Sequence, residues 1–503
     1  MVGVLGSALV ALGSGAFLVA SSLEAGDVRI QSANRPVNPG AEDPMDIRAH
    51  NSPAVAVNPR QPANLAVAAR IDTPSFSCAL HVSFDGGSEW SPTELPFPAG
   101  EELPARCFAP DVAFGPRGVL YLSFVTLKGA GNVPNAVWIS SSTDGGRTLS
   151  QPVQVAGPLA FQVRLLADQR TPERLYMSWV QAAGVGNLLL PSGQDHPVVV
   201  SRSDDGGAVW SPPIRASSAS RQRVIAPSTA LGREGELYLL YLDVGEDSLD
   251  YHGAHEGRGG EPYPGRWSLV LARSVDEGRT WDESVVEGQI VPAGRFIVFF
   301  PPFPSLAVDQ QSGRVYAAFH DARLGDPDVW VWTSTDGGSR FGPPRRVNDT
   351  AEGDGTSQYL PKLSVAPDGR LDVLYYDRRS DPQNVMNEAS LQSSDDGGHS
   401  FSPRLRLSDR LFDSRVGFGS ERDLPDLGSR LGLVSSRQRA VAVWTDTRAG
   451  TQESNKQDLG RAVVVFSAPA ALRSPLRLGG GVMAAIGLLV VAWWTVATTR
   501  RRT

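Results

Sequence analysis

Cysteine is almost absent from this chain: Cys78 and Cys107 are the two it has in 503 residues. That limits it to one disulfide, and an even count in an exported chain favours pairing over two buried free thiols. The chain carries a net charge of −7 and lacks any basic cluster before its C-terminal tail, which argues against a nucleic-acid partner. No Gly/Ser-rich stretch or charge block interrupts residues 27–466, so no internal domain boundary is expected. Histidine is scarce too. Its one close pair, His252 and His255 in an acid-flanked loop, has no second ligand pair in the sequence. A solvated loop is expected there, with no metal site and no cofactor.

The two ends lack charge. Residues 2–20 are apolar and uncharged, and Ser21, Ser22 and Ala25 supply small residues for cleavage. Residues 1–25 therefore read as a signal peptide. No cation precedes Arg29, so an uncleaved N-terminal anchor stays open. Residues 478–497 form a charge-free run of 20, with Trp493 and Trp494 near its end and Arg500, Arg501 and Arg502 beyond it. A helix of that length crosses a bilayer core of about 30 Å. The expectation is a linker over 467–477, a transmembrane helix over 478–497 and a cytoplasmic tail over 498–503. The main domain would lie on the outer side of a cell membrane, held by a single pass.

Between the ends, one eight-residue pattern occurs six times: SFDGGSEW (83–90), STDGGRTL (142–149), SDDGGAVW (203–210), SVDEGRTW (274–281), STDGGSRF (334–341) and SDDGGHSF (394–401). Successive starts are 59, 61, 71, 60 and 60 residues apart. A fixed period of this size marks a repeat architecture. The pattern has hairpin-turn chemistry, with Ser and Asp bonding the turn backbone, Gly supplying positive φ, and a closing aromatic or leucine. Between copies, a strand enters after proline, as at Pro53-Ala54-Val55, Pro110-Asp111-Val112, Pro304-Ser305-Leu306 and Pro361-Lys362-Leu363. Alternating strands such as 119–124 and 329–332 follow. Four antiparallel strands per unit make a β-propeller blade. The unit occurs seven times, the last without a turn motif or a fourth strand, and residues 27–31 form an orphan strand near the N-terminus. The economical reading is an all-β propeller over 27–466 with seven blades, the orphan completing the seventh. Six blades and a decorated C-terminal hairpin are the alternative.

The pattern S-x-D-G/E-G-x-x-W/F/L resembles the Asp-box, or BNR repeat, of sialidases and other propellers. The chain is similar to the broad group of secreted bacterial sialidase-like propellers. The resemblance implies a structural role for Asp85, Asp144, Asp205, Asp276, Asp336 and Asp396. It also implies three carboxylate-binding arginines, a Tyr nucleophile assisted by Glu, and an Asp acid/base. The family's first arginine stands in an R-I-P motif, and the matching place here reads Asn51-Ser52-Pro53.

Propeller loops sort by face. The turn motifs lie on one face, while the loops from second to third strands and those between blades share the other, around the central channel. On that channel face stand Arg70-Ile71-Asp72, Asp321-Ala322-Arg323, Tyr376-Asp377-Arg378-Arg379 and Asp446-Thr447-Arg448. Read as a site for an anionic sugar, Asp321, Tyr376 and Asp377 are catalytic candidates, and Arg70, Arg323, Arg379, Arg448 and Asp446 bind ligand. Read as architecture, each Asp-Arg pair ties its own loop to the next blade, which suits a theme repeated with the blade period. The aromatic run 296–303 either stacks on sugar or packs the channel mouth, and Leu188-Leu189-Leu190 marks a partner surface or an extra strand. Cys78 and Cys107 fall on the channel face of adjacent blades, where a Cα separation of about 6 Å is feasible. Two functions stay open. One is a cell-surface module that binds or scaffolds a carbohydrate or a cell-surface protein. The other is a glycoside hydrolase of exo-sialidase type.

Overall fold

The computed structural model describes residues 28–467 apart from 42, 44, 103–104, 185–194, 248–257, 296, 298–301 and 421–425. The expected signal peptide, transmembrane run, tail, His252/His255 loop and Leu188–Leu190 lie outside the described residues. Among those described, no helix is long and apolar enough to cross a membrane. Residues 31–463 form one compact unit, and residues 1–30 with 464–503 are assigned to another. Of the latter, 28–30 and 464–467 are described, and all but Ser467 belong to two strands.

Seven antiparallel sheets follow one another along the chain. Their first strands are His50–Val57, Cys107–Phe114, Ala160–Ala167, Val224–Leu231, Ser305–Val308, Gln358–Val365 and Gly432–Ser435. Each sheet has four strands, and blade 6 gains a short fifth, Phe412–Asp413, against Met386–Ser394. Blade 7 takes three strands from the C-terminal part and its outermost, Val28–Pro36, from the N-terminal part. Within the compact unit, Arg461 Nη1 donates to Ser32 Oγ at 3.2 Å, and Val37 N donates to Leu459 O at 2.9 Å. The N-terminal strand thus supplies the fourth strand that the seventh repeat lacks, and it covers the edge that Asp458–Phe466 would otherwise leave open.

Second strands such as Leu237–Asp243 (LYLLYLD) are buried along nearly their whole length. Alternation is lost there because each blade is covered on both faces by its neighbours. The core is accordingly built between blades: Val125, Val137 and Ile139 of blade 2 pack with Leu165, Met177 and Trp179 of blade 3.

The six turn motifs share one hydrogen-bond pattern. The Ser hydroxyl donates to Asp Oδ1 at 2.7–2.8 Å. It accepts from the N–H of the Gly at the fifth motif position at 2.8–2.9 Å. The closing Trp90, Trp210 and Trp281 fold back so that the indole N–H donates to the Gly carbonyl at 3.1 Å.

First strands carry a second repeated feature. In blades 1, 2, 3, 4 and 6 the register with the second strand shifts near the strand start. Ser52, Ala109, Gln162, Ala226 and Leu360 stand at those shifts with φ of 51°, 49°, 57°, 58° and 55°. These are β-bulges with a non-glycine residue in the left-handed region, which costs on the order of 1 kcal/mol each. Two residues beyond each bulge stand Ala54, Asp111, Arg164, Ser228 and Lys362. Ser305 and Leu431 hold the equivalent places in blades 5 and 7.

Candidate functional site

These seven residues line a central cavity of about 150 Å³. Ala54, Ser228, Ser305 and Leu431 bring no charge; Asp111, Arg164 and Lys362 do. Arg430 joins them from blade 7, where it takes the place that proline holds in five other blades. Its guanidinium is held by backbone carbonyls: Nε donates to Ser52 O at 3.1 Å, and Nη2 donates to Pro110 O. Carbonyls orient this cation without neutralising it. Gly428, two residues earlier, makes the approach possible. It has φ +88°, and a Cβ there would stand 2.6 Å from Ser52 N.

Among the described residues, Asp111 is the one carboxylate lining this cavity. Its Oδ2 accepts from Leu165 N at 3.0 Å and lies 3.5 Å from Arg164 Nε. Arg164 Nη1 is buried and has no hydrogen-bond partner. The Lys362 amine makes no hydrogen bond or ion pair with any described residue. Burial, then Arg164 and Arg430, push Lys362 down to about 8 against the pull of Asp111. Burial and Arg164 likewise push Arg430 down to about 9. Three cations thus face one carboxylate.

A second cavity, about 220 Å³, adjoins the first through Phe303 and Arg430, which line both. Phe76, Phe108, Phe161 and Phe303 give it aromatic walls, with Val125, Leu127 and Ala160, while Arg70, Asn132, Gln162 and Ser429 add polar groups. The walls come from strand ends and loops of different blades and are stapled. Cys78 and Cys107 form a disulfide with Cα atoms 5.8 Å apart. One half-cystine lies two residues from Phe76 and the other beside Phe108, whose rings meet edge-on at 5.8 Å. Of the aromatic run 296–303, Phe303 is a buried wall between the cavities; residues 296 and 298–301 lie outside the described set.

Among the arginines singled out from sequence, Arg70 lines this pocket. It is buried and paired with Asp72, Nη2 to Oδ2 at 2.7 Å, and with Asp426. Burial above all, helped by Asp72, pushes the Asp426 carboxyl up to about 7 against the pull of Arg70. Asn51, where sialidases carry their first arginine, donates from Nδ2 to Asp72 at 2.8 Å and to Gln457 Oε1 at 3.0 Å.

The remaining candidates lie where the second strands of blades 5, 6 and 7 end: Asp321, Tyr376, Asp377 and Asp446 in the strands, and Arg323, Arg379 and Arg448 in the loops that follow. Arg323 Nη2 donates to Asp321 at 2.6 Å and to Glu287 at 2.9 Å. Arg379 Nε donates to Asp377 at 2.7 Å, and Nη1 pairs with Asp349. Arg448 donates to Asp446 at 2.7 Å and to Asp409 at 2.6 Å. Asp321 and Asp377 are fully buried. Tyr376 is also fully buried. Its hydroxyl donates to Thr445 O at 3.2 Å and accepts from Thr445 N at 3.0 Å, and burial holds it well above the usual phenol range. Each Asp-x-Arg pair closes on itself, and its arginine reaches one further carboxylate.

No family model matches the chain. Over 308 residues it is 25% identical to a xyloglucanase of Acetivibrio thermocellus, covering 57% of this chain and 32% of that protein. The chain thus spans about a third of the length of that relative. Among solved structures, a Dyadobacter fermentans protein of unknown function superposes with a TM-score of 0.48 at 15% identity, covering 87% of this chain and 99% of that one. A Hadza microbial sialidase superposes with a TM-score of 0.43 at 15% identity, over 79% and 75% of the two chains. The structural neighbours include sialidase, arabinofuranosidase and lyase propellers.

Proposed function

We propose that the chain is a carbohydrate-binding propeller that receives a sugar residue in the aromatic pocket of blades 1–3. The observation that carries this reading is the pocket itself. Four phenylalanines present flat apolar faces of the kind that pyranose rings stack on, and a few convergent polar groups stand at its base to fix orientation. The likeness to a xyloglucanase supports the same class of ligand. Binding is favoured over sialidase-type hydrolysis by the Tyr376 hydroxyl, which spends both its hydrogen-bonding roles on Thr445. The place of the first sialidase arginine likewise holds an Asn committed to Asp72 and Gln457.

The test is a glycan array with full-length protein, followed by calorimetry on the hits and a fluorogenic sialoside assay. Phe76→Ala is expected to weaken sugar binding at least tenfold while the protein stays folded. Unchanged affinity in that variant overturns the pocket reading, and turnover of the sialoside replaces binding with hydrolysis.

We also place the propeller on the outer side of a cell membrane, tethered through residues 478–497. The uncharged 20-residue run and the disulfide, a bond of oxidising compartments, support this. Protease added to intact cells is then expected to degrade the propeller and spare a small C-terminal fragment. Full protection in cells with an accessible surface reverses the orientation.

A further inference from the structure

We propose that the central channel behind the aromatic pocket is an anion subsite, in which Arg164, Lys362 and Arg430 receive the carboxylate or sulfate group of an acidic sugar. The inference rests on the carbohydrate reading of the pocket and names the class of sugar.

Charge balance carries the argument. Elsewhere among the described residues, two buried arginines grip carboxylates, and buried Arg461, which does not, stands alone between Ser32 Oγ and Ser88 O and not in a cluster of cations. Arg70 has Asp72 and Asp426, and Arg370 grips Asp372 with two nitrogens. In the channel the balance fails. Asp111 is shared between Leu165 N and Arg164, Arg430 has carbonyl partners, and Lys362 has none among the described residues. Arg430 is buried, and Arg164 and Lys362 are partly buried; each gives up hydration without a full counter-charge, and three cations beside one carboxylate repel each other as well. A structural role does not need this arrangement, because Ala54, Ser228, Ser305 and Leu431 fill the equivalent ring positions in four blades without charge. The cations stand in blades 3, 6 and 7, so the cluster breaks the blade repeat. An arriving anion supplies the missing compensation, and forked guanidinium groups suit two-oxygen acceptors such as carboxylate and sulfate.

Position sets the ligand. Arg430 and Phe303 line both cavities, so a ring against the phenylalanines has its acid group within reach of the channel. A free inorganic anion shares the chemistry without the ring.

The experiment uses full-length protein and four probes: methyl glucuronide, glucose 6-sulfate, methyl glucoside and inorganic sulfate. One or both acidic sugars are expected to bind at least tenfold more tightly than methyl glucoside, and inorganic sulfate to compete with them. Lys362→Met is expected to abolish that preference, leave the neutral sugar's affinity unchanged and remove the rise in Tm that sulfate gives the parent. Lys362→Arg is expected to restore the preference, which separates charge from packing. Equal affinity for acidic and neutral sugars in the parent overturns the proposal, as does a preference that survives Lys362→Met. A Lys362-dependent rise in Tm with sulfate, and no binding of any sugar, overturns the carbohydrate reading and the sugar assignment while leaving the channel as a site for the free anion.

Discussion

The arginines of the outer loops and the cations of the channel are both enclosed by protein, and they differ in what surrounds them. Arg323, Arg379 and Arg448 each hold one carboxylate two residues back in sequence and a second from another strand or loop. Arg164, Lys362 and Arg430 have one carboxylate among them in the described lining, that of Asp111, and only Arg164 pairs with it. The first set recurs with the blade and closes on itself; the second is irregular and open. Compensation is what distinguishes a charge that holds the fold from a charge that waits for a partner.

Removing one member from each set is the sharpest way to break the comparison. Arg379→Met leaves Asp377 buried without its closest cation. It is expected to cost about 3 kcal/mol of stability, read as a lower denaturant midpoint, with sugar affinity in the folded fraction unchanged. A stable Arg379→Met protein that had lost its ligand would return the site to the outer loops. Asp336→Ala, on the opposite face, removes the acceptor that holds the blade 5 turn through Ser334 Oγ and Arg340 N. The loss of such a capping-type bond is expected to cost about 1–2 kcal/mol and to leave binding intact. The smallest stability effect belongs to Lys362→Met, whose Tm is expected to stay level or rise, since the variant removes a repelled charge.

A pH profile sharpens the same contrast. With Lys362 held at about 8 among Asp111, Arg164 and Arg430, it is mostly charged at neutral pH and loses its charge as pH rises through that value. Affinity for the acidic sugar or for sulfate is therefore expected to fall above pH 8, while affinity for methyl glucoside stays flat. Calorimetry at pH 7 and pH 9 reads the difference directly, and Lys362→Arg is expected to reduce the fall to the part that Arg430, pushed down to about 9, contributes.

The turn motifs and the seventh blade were legible in the sequence because their signals are local or periodic. Ser83 with Asp85, and the five pairs like them, lie two residues apart, and the missing fourth strand of blade 7 had its orphan counterpart at 27–31. The channel cations were not legible, although the strand theme Pro110-Asp111 and Pro361-Lys362 stood in plain view. Strand alternation assigns faces by counting in twos, and a bulge at Ala109 or Leu360 shifts that count by one residue. Whether Lys362 faces the axis or a neighbouring blade then depends on a backbone irregularity that leaves no composition signal. The Asp-x-Arg theme was visible, but the second partners were not: Asp349 lies 30 residues from Arg379 and Asp409 lies 39 from Arg448. The pocket gave no motif at all, since Phe76 and Phe303 stand in separate loops and Phe108 and Phe161 in the first strands of two different blades.

The borrowed strand of blade 7 also sets an order of events. Asn38 Nδ2 bonds Asp458 across 420 residues of chain, so these contacts have the longest range in the propeller and the largest loop to close. As the polypeptide emerges from the ribosome N-terminus first, blade 1 has no blade 7 to pack against until residue 458 and its neighbours have been made. The strand Val28–Pro36 must remain without its blade 7 partner through nearly the whole of synthesis, then lock last. The ring is therefore a latch that shuts once, when the chain is complete, and a product truncated before blade 7 would carry an open seam and a stray strand.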